Sequence, residues 1–212
     1  MQRVKILNRL VDAGIVAVVR ADTGDKAKEY VEALVAGDIF AIELTYSVPQ
    51  ADSVIADLTE KYGDDKRVIV GAGTVLDPTS ARLAIIAGAQ FIVSPSFSVE
   101  VAKICNLYQI PYVPGCQTVT EIQEAMSYGS DIIKLFPGNT LGTGFIKSVH
   151  GPLPQASLLP SGGVDFDNMG DWLAAGAVSV SMGSALTKGD TFEDMRDNAK
   201  RYSDKFKSLK SE

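Results

Sequence analysis

Short apolar, β-branched runs alternate along the chain with longer stretches whose apolar residues recur at three- and four-residue spacing. The runs predict strands at Ile15–Arg20, Ala41–Thr45, Val68–Gly71, Phe91–Val93, Tyr112–Val113, Ile132–Leu135, Leu158–Pro160 and Val178–Ser181. Val4, Leu7, Leu10 and Val11 share one face of a helix ahead of the first strand. Helix starts are marked by Pro49 and by Pro78 behind an Asp77 N-cap, and Thr118-x-x-Glu121 has the capping-box pattern. Gly37, Gly63, Gly88, Gly129 and Gly176 stand where left-handed C-terminal caps favour glycine. Their spacing, roughly 25 residues or multiples near it, is the length of one βα unit.

Eight strands alternating with helices imply a parallel sheet buried on both faces. Gly71-x-Gly73 lacks the third glycine of a dinucleotide fingerprint, which disfavours the doubly wound alternative. The expected fold is therefore α/β, a (β/α)₈ TIM barrel with an extra N-terminal helix, formed by residues 1–212 as one domain. Functional residues in such a barrel belong at the C-terminal ends of strands.

Composition narrows the function. With 46% hydrophobic and 22% charged residues the chain reads as a soluble globular protein, and a net charge of −6 argues against a nucleic-acid partner. No apolar run reaches the roughly 18 residues that would imply a membrane span. Asp12 interrupts the N-terminal apolar stretch, so a signal peptide is not expected. Cys105 and Cys116 have no metal or redox spacing and read as reduced thiols of a cytoplasmic protein. His150 is the sole histidine and reads as structural; without clustered acidic ligands, no catalytic metal is expected.

Two strands carry charges where apolar residues belong. Alternation puts Ala41, Glu43 and Thr45 on one face of their strand, and Ile132, Lys134 and Phe136 on one face of theirs. Both Glu43 and Lys134 then point into the barrel, and Pro137-Gly138 places Lys134 near its strand's C-terminal end. Two readings stand side by side. One is a structural ion pair filling the interior. The other is a desolvated lysine whose neutral amine attacks a carbonyl, with the carboxyl moving protons. Arg20 shares the parity of Val16 and Val18 and is either a solvent-facing strand end or a carboxylate clamp.

Glycine-rich segments complete the picture. "PSGGV" with Ser161, Gly162 and Gly163 follows the seventh strand, and "SMGSAL" with Gly183 and Ser184 follows the eighth. Their backbone N–H groups, beside a helix N-terminus, suit a phosphate, although such loops also serve as plain turns. "GAGTV" after the third strand permits close ligand approach and offers the Thr74 hydroxyl. "SPSFS" holds a comparable place after the fourth.

The ordered motifs "ELT", "VGAGTV", "FIVSP", "IIKLFPG", "PSGGV" and "GSAL", spread from "GIVAVVR" onward over most of the chain, resemble the class I 2-keto-3-deoxy-6-phosphogluconate (KDPG) and 4-hydroxy-2-oxoglutarate (KHG) aldolases. The resemblance implies a Schiff-base aldolase that cleaves KDPG reversibly to pyruvate and glyceraldehyde 3-phosphate, and that also acts on KHG. Lys134 then corresponds to the Schiff-base lysine and Glu43 to the general acid/base. Arg20, Thr74, Pro95 and Phe136 correspond to the pyruvate pocket, and Ser161, Gly162, Gly163, Gly183 and Ser184 to the phosphate site. It implies a homotrimer without metal or cofactor. Many members carry an arginine where this chain has Ser47, which leaves the 4-epimeric 6-phosphogalactonate substrate open. Two other readings of the same residues are a non-covalent sugar-phosphate isomerase or epimerase and a phosphometabolite-binding protein.

Overall fold

The structure is a computed structural model describing residues 1–210. Helix α1 (Gln2–Ala13) leads into β1 (Ile15–Val19), α2 (Gly24–Ala36), β2 (Ala41–Thr45), α3 (Ala51–Lys61) and β3 (Ile69–Gly73). There follow α4 (Pro78–Ile86), β4 (Ile92–Ser94), α5 (Val99–Leu107), β5 (Tyr112–Cys116), α6 (Val119–Ser127) and β6 (Ile132–Leu135). Two short helices, α7 (Gly138–Leu141) and α8 (Gly144–His150), precede β7 (Ser157–Pro160), and α9 (Met169–Ala174), β8 (Val180–Met182) and α10 (Phe192–Lys210) complete the chain.

The strands run parallel in the order β7-β6-β5-β4-β3-β2-β1-β8. The remaining seam, between β7 and β8, is closed by a parallel bridge between Ser161 and Ser181 and by the Val178 N–H donating to the Leu158 carbonyl at 3.0 Å. This is the expected (β/α)₈ barrel. Its apolar residues divide into two cores. The larger lies between strands and helices and includes Ile42, Leu44, Ile133 and Leu135. The smaller fills the barrel, where Ile6 and Leu10 of α1 meet Val16, Ile69, Phe91 and Ile132. Helix α1 therefore plugs the N-terminal mouth, and Arg3 ties it down by donating to Asp131 at 2.8 Å and Asn106 at 2.6 Å. No helix among the described residues is long and apolar enough to cross a membrane.

Several local expectations change. Strand β3 runs on through Gly73 and β5 through Cys116, so "GAG" is strand rather than loop. Arg20 lies just beyond β1. Asp77 and Thr118 cap their helices as expected, with the reciprocal capping box at Thr118 and Glu121. Pro49, however, precedes α3 rather than opening it, because Gln50 turns the chain with φ 55°. Gly88, Gly129 and Gly176 have positive φ, but Gly37 and Gly63 do not. At Gly37 the reason is packing: an added Cβ would lie 2.6 Å from the Ala199 Cβ of α10, and the left-handed turn falls on Asp38 instead.

Candidate active site

Register and parity bring the two interior charges together. Lys134 is paired with Gly115 on one side and Leu159 on the other, while Glu43 lies between Val18 and Gly71. Lys134 is 5% exposed and Glu43 1%, and the Lys134 Nζ lies 3.7 Å from the Glu43 Oε1. That separation is an ion pair without a close hydrogen bond, and Oε1 is buried with no hydrogen-bond partner. Beneath Glu43 a cavity of about 10 Å³ is walled by Leu10, Val16, Phe91 and other apolar residues of the inner core. Burial in this layer pushes the Glu43 carboxyl above its ordinary range, against the opposing pull of the Lys134 and Arg20 cations. Burial thus makes the Glu43 carboxyl easier to protonate than an exposed glutamate, beside the lysine that faces it.

Glycine makes room for this pair. A Cβ on Gly73 would stand 2.2 Å from the Glu43 Oε1, and one on Gly71 would stand 2.5 Å from the Phe91 ring. Phe136 presents its ring 5.2 Å from the Lys134 Nζ. Thr74, half-buried, follows with φ 57°. A β-branched residue in that conformation costs about 1–3 kcal/mol, strain of the kind that clusters at functional sites.

Across the barrel's closing seam, the segment after β7 meets β8. The Ser161 Oγ lies 3.4 Å from the Ser181 Oγ, and the Ser161 carbonyl accepts from the Gly138 N–H at 2.7 Å. Gly162 and Gly163 both have positive φ, and a Cβ on Gly163 would approach the Asn139 Cβ to 2.6 Å. The Asn168 amide holds this loop through the Gly163 carbonyl at 2.7 Å. No helix opens directly behind either loop, since α9 begins at Met169 and α10 at Phe192. The helix start that lies beside the Ser161 loop is that of the short α7, whose Gly138 N–H is taken by the Ser161 carbonyl.

The family described as "Aldolase: KDPG and KHG aldolase" matches residues 6–200. The chain belongs to the KDPG and KHG aldolase family. It is accordingly a carbon–carbon lyase. The 2-dehydro-3-deoxy-phosphogluconate aldolase of Dickeya dadantii is 33% identical over 187 residues, 87% of this chain and 86% of that one. The 2-dehydro-3-deoxy-6-phosphogalactonate aldolase of Escherichia coli K12 is 32% identical over 173 residues, covering 81% and 83%. Among solved structures, the KDPG aldolase of Legionella pneumophila with pyruvate captured as a covalent carbinolamine aligns with a TM-score of 0.81. The two are 26% identical, over 95% of this chain and 96% of that one.

Within this aldolase the residues expected from sequence fall into two groups. Glu43 and Lys134 lie within β2 and β6, Thr74 and Phe136 directly follow β3 and β6, and Arg20 acts on Glu43 from just beyond β1. Pro95 follows β4, in contact range of Gly115. Ser161, Gly162, Gly163, Gly183 and Ser184 follow β7 and β8. Sequence reasoning marked the Gly73 segment for close approach of a ligand, whereas the group that approaches is Glu43, and it missed Gly115, although a glycine inside a strand is a signal of close approach. It also missed Thr45, which is fully buried and donates to the Val19 carbonyl at 3.1 Å.

Proposed function

We propose that Lys134 and Glu43 carry out reversible Schiff-base cleavage of KDPG to pyruvate and glyceraldehyde 3-phosphate, with KHG as a second substrate. The observation that carries this reading is the buried Lys134–Glu43 pair at 3.7 Å, in which the carboxyl is pushed toward its protonated form. The neutral Lys134 amine attacks the C2 carbonyl, and Glu43 gives a proton to the developing alkoxide. Loss of water from the carbinolamine leaves an iminium. Glu43, now a carboxylate, takes the C4 hydroxyl proton. The C3–C4 bond breaks, its electron pair entering the iminium to form an enamine, and the aldehyde departs. The proton on Glu43 is then available for C3, and water releases pyruvate from Lys134.

Arg20 and Thr74 receive the keto-acid carboxylate, with Pro95 and Phe136 as the wall of that pocket. Ser161, Gly162, Gly163, Gly183 and Ser184 receive the phosphate through loop N–H groups. One domain, residues 1–212, carries the whole site without metal or cofactor. The 4-epimeric 6-phosphogalactonate substrate is a second reading, favoured by the 32% identity to the Escherichia coli enzyme named for it and by Ser47.

The active species is a homotrimer in the cytoplasm. Leu83 and Ile86 of α4 and Leu107 and Tyr108 at the end of α5 are exposed on neighbouring helices, an apolar surface suited to a second copy. Cys105 and Cys116 are buried free thiols, in keeping with a reducing compartment. Borohydride reduction with pyruvate, followed by peptide mass mapping, tests the chemistry: the adduct is expected on Lys134. Well-folded protein that traps nothing there would remove the Schiff-base assignment.

A further inference from the structure

The segment after β4 is held from both sides by β5. The two strands pair in parallel, with Ile92 opposite Tyr112 and Ser94 opposite Pro114. On the interior side, Gly115 lets Pro95 come close: a Cβ there would lie 2.2 Å from the Pro95 carbonyl oxygen and 3.0 Å from its Cα. No side chain fits, so the Pro95 backbone rests directly on strand β5.

On the helix side, Tyr112 is 3% exposed. Its phenol oxygen lies 2.6 Å from the Ser94 Oγ and 3.2 Å from the Ser96 carbonyl, and it accepts from the Ser98 N–H at 3.2 Å. The Ser94 hydroxyl donates to the Ser96 carbonyl, so its single proton is already placed. The phenol proton then belongs on Ser94 or Ser96, and its lone pair on Ser98. Ser98 in turn caps α5 through the Val101 N–H. One side chain thus ties residues 94, 96 and 98 into a closed loop around Pro95. Burial pushes the phenol pKa up to about 12, so this donor keeps its proton throughout the neutral range.

We infer that Tyr112 is a positioning residue for the keto-acid half of the pocket, fixing Pro95 against the Lys134–Glu43 pair without touching substrate. The inference rests on the proposed place of Pro95 in the pyruvate wall. It also predicts selectivity. The phosphate loops hang on β7 and β8, and β8 lies on the opposite side of the ring from β4. Loosening the Pro95 loop therefore acts on pyruvate and spares the aldehyde phosphate.

The test is steady-state kinetics in the aldol direction for wild type and Tyr112→Phe, varying pyruvate and glyceraldehyde 3-phosphate separately. Loss of one buried hydrogen-bonding hydroxyl should raise the pyruvate KM roughly 5- to 20-fold, with kcat and the aldehyde KM within about twofold. Ser94→Ala keeps the phenol but removes one tie, and should move the pyruvate KM the same way by less. Equal rises in both KM values, a fall in kcat alone, or an unchanged pyruvate KM in both variants would overturn the inference. Wild type that traps pyruvate on Lys134 while the variants keep its KM refutes this inference alone. Wild type that traps none refutes the Schiff-base assignment and this inference with it.

Discussion

Glu43 has a carboxyl oxygen that is buried without a hydrogen-bond partner, and this single atom links the chemistry of the site to the stability of the fold. Its pKa is raised in the folded chain, first by desolvation. A raised folded pKa means that the protonated group is the one the fold tolerates. The stability contribution is thus full below the ordinary glutamate range, near about 4.3, and is lost as pH rises through the folded value. Glu43→Gln removes that loss. Its melting temperature relative to wild type should climb as pH goes from about 4 to 8, while kcat falls by roughly 10²–10⁴. Parallel melting curves across that pH range would contradict the buried-acid argument. Ser47 invites a different experiment. Thr45 donates its one proton to the Val19 carbonyl, so Ser47, 2.7 Å away, must be the donor to Thr45. That leaves Ser47 presenting only lone pairs at the mouth, where it accepts from a hydroxyl and repels a carboxylate. Ser47→Arg should therefore lower the pyruvate KM by about tenfold, the worth of an added charge-assisted hydrogen bond; an unchanged KM would place Ser47 outside carboxylate reach.

Strand β3 decides how closely the elements around that pair can approach. Gly71 and Gly73 both face inward, and the Glu43 carboxyl occupies the space that a side chain at 73 would fill. Gly73→Ala must displace Glu43, because the clash of 2.2 Å is with the carboxyl itself and the strand backbone is fixed by its register with β2. A stability loss of about 1–3 kcal/mol is expected from overpacking, with kcat/KM down at least about 100-fold. Circular dichroism melts and cleavage assays on one preparation separate the two effects. The same strand illustrates what can be read from the chain beforehand. Alternation along "AIELT" and "IIKL" was enough to aim Glu43 and Lys134 at each other, since period-two geometry holds in any strand. The end of β3 was not legible, because glycine has low strand propensity and only the tertiary packing of Phe91 and Glu43 explains its use. Likewise, no local rule placed the left-handed turn on Thr74 rather than on a glycine. Gly37 does cap α2, but not in the left-handed conformation expected of it, and the α10 packing that calls for a glycine there, at Ala199, lies far away in sequence.

At the scale of the whole molecule, the barrel has a closed end and an open one. Helix α1 seals the N-terminal mouth, so burial of Glu43 is supplied from that end of the barrel. On the flank, the exposed apolar residues of α4 and α5 are joined by the Arg82 guanidinium stacked 4.0 Å from the Tyr108 ring. Leu76 is exposed just after Val75 and the strained Thr74, so this flank begins at the rim of the site. Covering it with further copies would remove apolar area from water and hold the Thr74 turn in place, coupling assembly to substrate affinity. Ile86→Lys combined with Leu107→Lys puts two charges into that surface without touching the barrel interior. Light scattering should then report the monomer mass in place of that of the proposed trimer, the melting temperature should depend less on protein concentration, and the pyruvate KM should rise. A double variant that stays trimeric would move the contact surface elsewhere, and a monomer with an unaltered KM would show that the Thr74 turn keeps its conformation without neighbours.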